Sequence, residues 1–159
     1  MSGQGFLSRL KLGAAGMRRL FNLWPVFRGM GVRVVELDPA FRHATVELRM
    51  RLLNRNYVGT HFGGSLFAMA DPWFMILMMH RLGDDYVVWD KAGAVRFIRP
   101  ARGTVTARFE LPEESVAEAR ERTAQGQKHE PVFKAAIVDA QGVTVAEVEK
   151  TLHIRRKKN

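Results

Sequence analysis

The segment that most constrains this chain runs from Gly63 to Leu82, GGSLFAMADPWFMILMMHRL, and is apolar on nearly every side. Such a run reads as one helix buried all round. Its longest apolar run, Ser65 to Met79, is too short for a membrane span and is interrupted by Asp71-Pro72. A carboxylate set inside it is expected to be buried, which is costly unless the group is paired, hydrogen-bonded or neutral. Two readings of Asp71 stay open. Asp before Pro is a helix-start signature, with Asp71 as N-cap and Pro72 at the first helical position, which would split the run in two. Alternatively the carboxylate is there for chemistry. Both hold if the proline kink also fixes the direction of the acid.

Around this helix the chain alternates in steps of two. Val32 to Leu37 and His43 to Met50 read as strands, separated by the turn signal Asp38-Pro39. Arg51 to Thr60 reads as a loop, and Gly83-Asp84-Asp85 ends the helix. Tyr86 to Ile98 is a long strand stopped by Pro100. Gly103 to Leu111 places Val105, Ala107, Phe109 and Leu111 on one face. Pro112 to Gln125 is a short charged helix or loop insertion. Val132 to Val138 and Val143 to His153 form a hairpin across Asp139-Ala140-Gln141-Gly142. One long helix against an antiparallel sheet of about six strands is an α+β layout. A sheet this small cannot surround a helix apolar on all sides, so at least a homodimer is expected, a dimer or a dimer of dimers.

Composition narrows the chemistry. At 159 residues and 47% apolar content, the chain fits one globular domain. It has no cysteine, which excludes disulfides, thiolate metal sites and a cysteine nucleophile. Its five histidines show no HxH or HxxxH pair, so no metal site is expected. The net charge of +9 favours phosphorylated ligands, nucleic acid or anionic membranes. Much of that charge lies in the tails, however. Residues 1–30 carry Arg9, Lys11, Arg18, Arg19 and Arg28 with no acid, and the chain ends in Arg155-Arg156-Lys157-Lys158. The basic residues are not interleaved with aromatics on any strand, so nucleic-acid binding is not expected. Phe6, Leu7, Leu10, Leu20, Phe21 and Trp24 among those basic residues read as an N-terminal helix. Its apolar stripe packs on its own domain in preference to weak association with a membrane surface. No secretory signal is visible, and the expected location is cytoplasmic.

The chemistry-bearing residues crowd into Asn56 to Asp71, NYVGTHFGGSLFAMAD. Gly63 and Gly64 bring backbone N–H groups close to a ligand at a helix start, or simply permit close packing. Asn56 is a turn residue or a polar group for a site, and His61 is a base, a donor or a loop residue. Amide donors for an oxyanion, with a carboxylate about two turns further on, make an acyl-transfer site plausible.

The pattern Asn56-x-x-Gly59-Thr60-x-x-Gly63-Gly64 followed by Asp71 resembles the loop and central helix of hotdog-fold thioesterases of the phenylacetate-pathway type. Arg96-Phe97-Ile98-Arg99-Pro100-Ala101-Arg102-Gly103 resembles that family's next strand and turn. Trp24-Pro25, Asp71-Pro72-Trp73-Phe74 and Val88-Trp89-Asp90-Lys91 resemble a poorly characterised branch of tetrameric acyl-CoA thioesterases. The resemblance implies an N-terminal helical extension over 1–30, a hotdog domain over 31–155 and a basic tail over 156–159. It implies hydrolysis of an acyl-CoA thioester with no cofactor beyond the CoA of the substrate. Gly63 or Gly64 would stabilise the oxyanion, Asp71 would act as general base or nucleophile, and Asn56 would orient water or carbonyl across a dimer interface. Arg99 and Arg102 would meet the phosphates of CoA.

The chain departs from the family at the histidine, which normally stands directly before the glycine pair. Phe62 is there, and His61 lies one position earlier. Asp90 falls where relatives place a Ser or Thr; it either shares a proton with Asp71 or pairs with Lys91 or Arg96. Met69, Met75, Met78 and Met79 line an acyl tunnel or fill the core, the commoner use of methionine at this spacing. Two other classes stay open: a hydratase or dehydratase on the same fold using His61 with Asp71, and a non-catalytic acyl-CoA or lipid-binding protein.

Overall fold

The computed structural model describes residues 12–158. Phe6, Leu7, Arg9, Leu10 and Lys11 of the expected N-terminal helix lie outside them. Two helices, α1 (Ala14–Leu23) and α2 (Pro25–Met30), precede strands β1 (Val32–Leu37) and β2 (His43–Arg49). The central segment forms α3 (Gly63–Ala70) and α4 (Trp73–Leu82). Then follow β3 (Tyr86–Phe97), β4 (Thr104–Glu110), α5 (Glu113–Arg122), β5 (Lys128–His129), β6 (Val132–Val138) and β7 (Thr144–Arg156).

The strands make one sheet in the order β1-β2-β4-β6-β7-β3, all antiparallel, with the short β5 beside β7. The six strands expected from alternation are all present; β5, of two residues, is the addition. Alternation decides which face is buried. In β4 the inward residues Val105, Ala107 and Phe109 are fully buried, as are Val46 and Leu48 of β2. Against them the central helix lays Leu66, Met69, Trp73, Phe74 and Leu77. The Phe74 ring sits 5.5 Å from Phe109, edge-on, and 5.0 Å from Phe133, stacked.

The central helix is broken at Asp71-Pro72, but Asp71 is not its cap. Pro72 occupies the N-cap position of α4 and Asp71 makes no cap bond there. Nor is the helix buried all round. Gly64 and Asp71 are exposed, and Phe67, Ala68 and Met75, on the same face, are half-buried. The sheet covers one side of the helix and leaves this stripe, beside β3, open.

The two ends of the sheet differ. At β1, Asn22 of α1 mimics a strand: its Nδ2 donates to the Val34 carbonyl at 3.0 Å and its Oδ1 accepts from the Val34 N–H at 2.8 Å. Phe21 and Phe27 pack on Trp73, with centroids at 5.2 and 6.3 Å, so α1 and α2 belong to the core. At the other end, among the described residues, β3 is an edge with no such cover. From Lys91 to Phe97 only Val95 is even half-buried, and Trp89, Phe97 and Ile98 are exposed apolar side chains.

Candidate functional site

The loop before α3 is built by Asn56. Its Oδ1 accepts from the N–H groups of Val58 (3.1 Å) and Thr60 (2.9 Å). Its Nδ2 donates to Thr60 Oγ1 (2.8 Å) and to the His61 carbonyl (3.1 Å). Two lone pairs and two N–H groups are the full capacity of the amide. Asn56 therefore has nothing left for water or substrate here. In the single chain Asn56 staples its own loop.

His61 is a core histidine. It is buried, its N–H donates to the Ala101 carbonyl and its Nε2 lies 2.9 Å from the Gly103 carbonyl. Burial pushes its pKa down, partly opposed by the hydrogen bond to Gly103. The ring is tied to a backbone carbonyl through Nε2, and its Nδ1 is buried without a hydrogen-bond partner.

Phe62 stands at the N-cap of α3 and offers no side-chain acceptor. The first bonds of the helix run from Ser65 and Leu66 to the Phe62 carbonyl. The N–H groups of Gly63 and Gly64 thus have no acceptor within the helix. Both glycines sit under aromatic rings: a Cβ at Gly63 would lie 2.7 Å from Phe97 Cζ, and one at Gly64 would lie 2.4 Å from Phe62 Cε1. The absence of a side chain lets both rings pack against the helix start.

Asp71 lies on the open stripe, its side chain 54% exposed, which corrects the expectation of a buried acid. The reason is the uncovered side of the helix. Its partner is one that sequence reading missed. Lys150 of β7, 2% exposed, donates from Nζ to Asp71 Oδ1 at 2.7 Å. The same Nζ lies 3.2 Å from Asp90 Oδ1 on β3. Asp90 therefore pairs with neither Lys91, which meets Glu130, nor Arg96, which meets Glu147. Burial raises the pKa of Asp90; Lys150 opposes the shift and Asp71 adds to it. The signal for Lys150 was present: it continues the inward register Ala146, Val148, Leu152, Ile154 of β7.

Arg99 pairs with Asp139 in the β6–β7 turn. Arg102 donates from Nη1 to the Gly59 carbonyl at 3.0 Å. Among the described residues, no carboxylate pairs with Arg102. The structure thus brings together Asp71, Asp90 and Lys150, ties Asn56, His61 and Arg102 into the preceding loop, and keeps Arg99 apart. A polar depression between α5 and β5, lined by Glu118, Glu121, Lys128 and Glu130 among others, contains none of these residues. Of the methionines, Met69 and Met78 are fully buried and Met75 and Met79 are half-buried against the core.

The fold has known counterparts. Protein PA5026 of Pseudomonas aeruginosa, described as of unknown function and a probable thioesterase, superposes with a TM-score of 0.82 at 22% identity, covering 92% of this chain and 97% of that one. Thioesterase HI1161 of Haemophilus influenzae gives 0.67 at 14% identity, covering 91% and 92%. The PaaI protein of the E. coli phenylacetic acid degradation operon gives 0.61 at 20%, covering 90% and 91%. No curated protein matches the sequence. The architecture is the hotdog fold, and because residues 13–154 match the family described as a domain of unknown function, DUF4442, the chain belongs to that family.

Proposed function

We propose that this chain hydrolyses acyl-CoA thioesters at the open stripe of its central helix, working as at least a homodimer. The observation that carries the reading is Asp71: an exposed carboxylate on the same helix face as the uncapped amides of Gly63 and Gly64, beside the uncovered edge β3. Solved structures of this fold that are described as thioesterases support the reaction class.

Geometry argues for two copies. Seven residues separate Gly64 from Asp71, which is about 10 Å along a helix axis. One carbonyl cannot sit on the amides and face the acid of the same helix, because reacting atoms must come within about 3.5 Å. A two-fold pairing across β3 would set Asp71 of one subunit opposite the partner subunit's Gly64. It would also pair the free edge and cover Phe97 and Ile98.

In that setting Asp71 takes a proton from water, whose oxygen adds to the thioester carbon. The N–H groups of Gly63 and Gly64 hold the resulting oxyanion. Collapse breaks the C–S bond, and the CoA thiolate takes up the proton. Attack by Asp71 itself, giving a mixed anhydride that water then opens, uses the same geometry. Arg102, with no carboxylate partner among the described residues, is the better candidate for the CoA phosphates. The charge of Arg99 is matched by Asp139. The buried His61 counts against the hydratase reading.

A panel of acyl-CoAs with a thiol-trapping reagent tests this. The protein is expected to release thiol, and Asp71→Asn to lower turnover by about 10²- to 10⁴-fold, the usual worth of a general base. No thiol from any chain length, with thermal stabilisation by the same esters, would leave a binding protein.

A further inference from the structure

Buried lysines need a reason, and Lys150 has three walls that account for it. On the helix side stand Asp71 and the Phe67 ring, whose centroid is 5.4 Å from Nζ. On the edge strand stand Asp90 and Gly93. A Cβ on Gly93 would come within 2.8 Å of Phe67 Cζ and 3.1 Å of Lys150 Cδ, so the glycine makes room for both. On the β6 side its cross-strand neighbour is Phe133. Of the neighbouring charges on these strands, Lys91 and His153 meet Glu130, Arg96 meets Glu147 and Lys134 meets Glu149. Among the described residues, Asp71 and Asp90 are the carboxylates that meet Nζ.

The strand is shaped for this contact. The β3–β7 register slips by one residue between Asp90 and Ala92. A bulge of this kind re-aims the side chains around it and is enriched beside active sites. Here it sits next to the carboxylate that meets Lys150.

We infer that Lys150 is a positioning residue of the site, its buried ammonium tying Asp71 of the helix to Asp90 of the edge strand so that the two carboxyls act as one unit. This rests on the hydrolase reading only for its consequence, not for its geometry. A chain without the ammonium would hold two carboxyls near each other with nothing between them. They would then keep a shared proton to higher pH. Asp90 is the more enclosed of the two acids, and burial raises its pKa while Lys150 opposes the shift.

The test compares the wild type with Lys150→Met, Lys150→Arg and the double variant Lys150→Met/Asp90→Asn. Methionine suits an inward apolar register, so Lys150→Met is expected to fold. The first readout, independent of turnover, is the 13C titration of the Asp71 and Asp90 carboxyls in the full chain. Proton uptake by the pair should move up by about one pH unit or more in Lys150→Met, and the shift should shrink in the double variant. Lys150→Arg should stay near the wild type. The second readout is the pH profile of kcat/KM, whose acid limb should move with the carboxyls. Superimposable carboxyl titrations would overturn the inference, as would an acid limb that stays put while the carboxyls shift. Shifted carboxyls in a protein that releases no thiol would sink the hydrolase reading and leave the Lys150 unit standing.

Discussion

Replacing Asn56 by alanine separates a loop staple from a catalytic amide. The substitution removes four hydrogen bonds. The Val58 N–H is at the surface and can turn to water, so it contributes little. The other three involve Thr60 and His61, both buried, and bonds of this kind are worth about 1 kcal/mol each. With some relaxation of the loop, the expected loss is about 2–3 kcal/mol. Urea unfolding would show it as a fall in midpoint of roughly 1 M, given slopes of about 2–3 kcal/mol/M. Asn56→Asp is expected to cost less, about 1–2 kcal/mol. It keeps both bonds accepted by Oδ1, and the Thr60 hydroxyl can turn to donate, but it faces the His61 carbonyl with an oxygen. An alanine variant as stable as the wild type that has nonetheless lost turnover would refute the reasoning and return Asn56 to the chemistry.

Two further outcomes follow from the packing and the charges. Trp73→Ala, which empties a fully buried site under Phe21 and Phe27, should cost about 3–5 kcal/mol in urea unfolding; under about 1.5 would mean that α1 and α2 do not rest on it. Hydrogen bonds from Lys91 and then His153 hold the Glu130 carboxyl down from 4.5 to about 2. A depressed acid stabilises the fold above its ordinary pKa and loses that contribution as pH falls through the lowered one. Acid unfolding between pH 4.5 and 2 should therefore be less steep in Glu130→Gln, and identical curves would contradict the pairing.

The fold was largely legible because its signals are local. The two-residue period of Val105, Ala107 and Phe109, the breakers at Gly83 and Pro100, and the turn Asp139 to Gly142 each act within a few residues. In that turn Asp139 Oδ1 accepts from Gln141 and Val143, the expected way to close it. The site was legible only in part because its decisive contact is long-range. Lys150 is 79 residues from Asp71 in sequence, and a lysine between Glu149 and Thr151 reads as a solvated face unless the register of β7 is followed through it. The exposure of Asp71 in one chain follows from a sheet too small to surround the helix; periodicity alone does not say which residues fall on the uncovered stripe. Asn56 and His61 stand out in the sequence as polar residues beside the glycine pair. Their partners are the backbone of their own loop and of the segment from Ala101 to Gly103.

Binding of a non-hydrolysable thioether analogue of an acyl-CoA, followed by structure determination, tests the central claim most directly. The account predicts two copies joined along β3, with the analogue's carbonyl oxygen about 3 Å from a Gly63 or Gly64 N–H and its carbon facing the partner subunit's Asp71. An analogue seated instead in the depression between α5 and β5, with Asp71 facing only Lys150 and solvent, would contradict it.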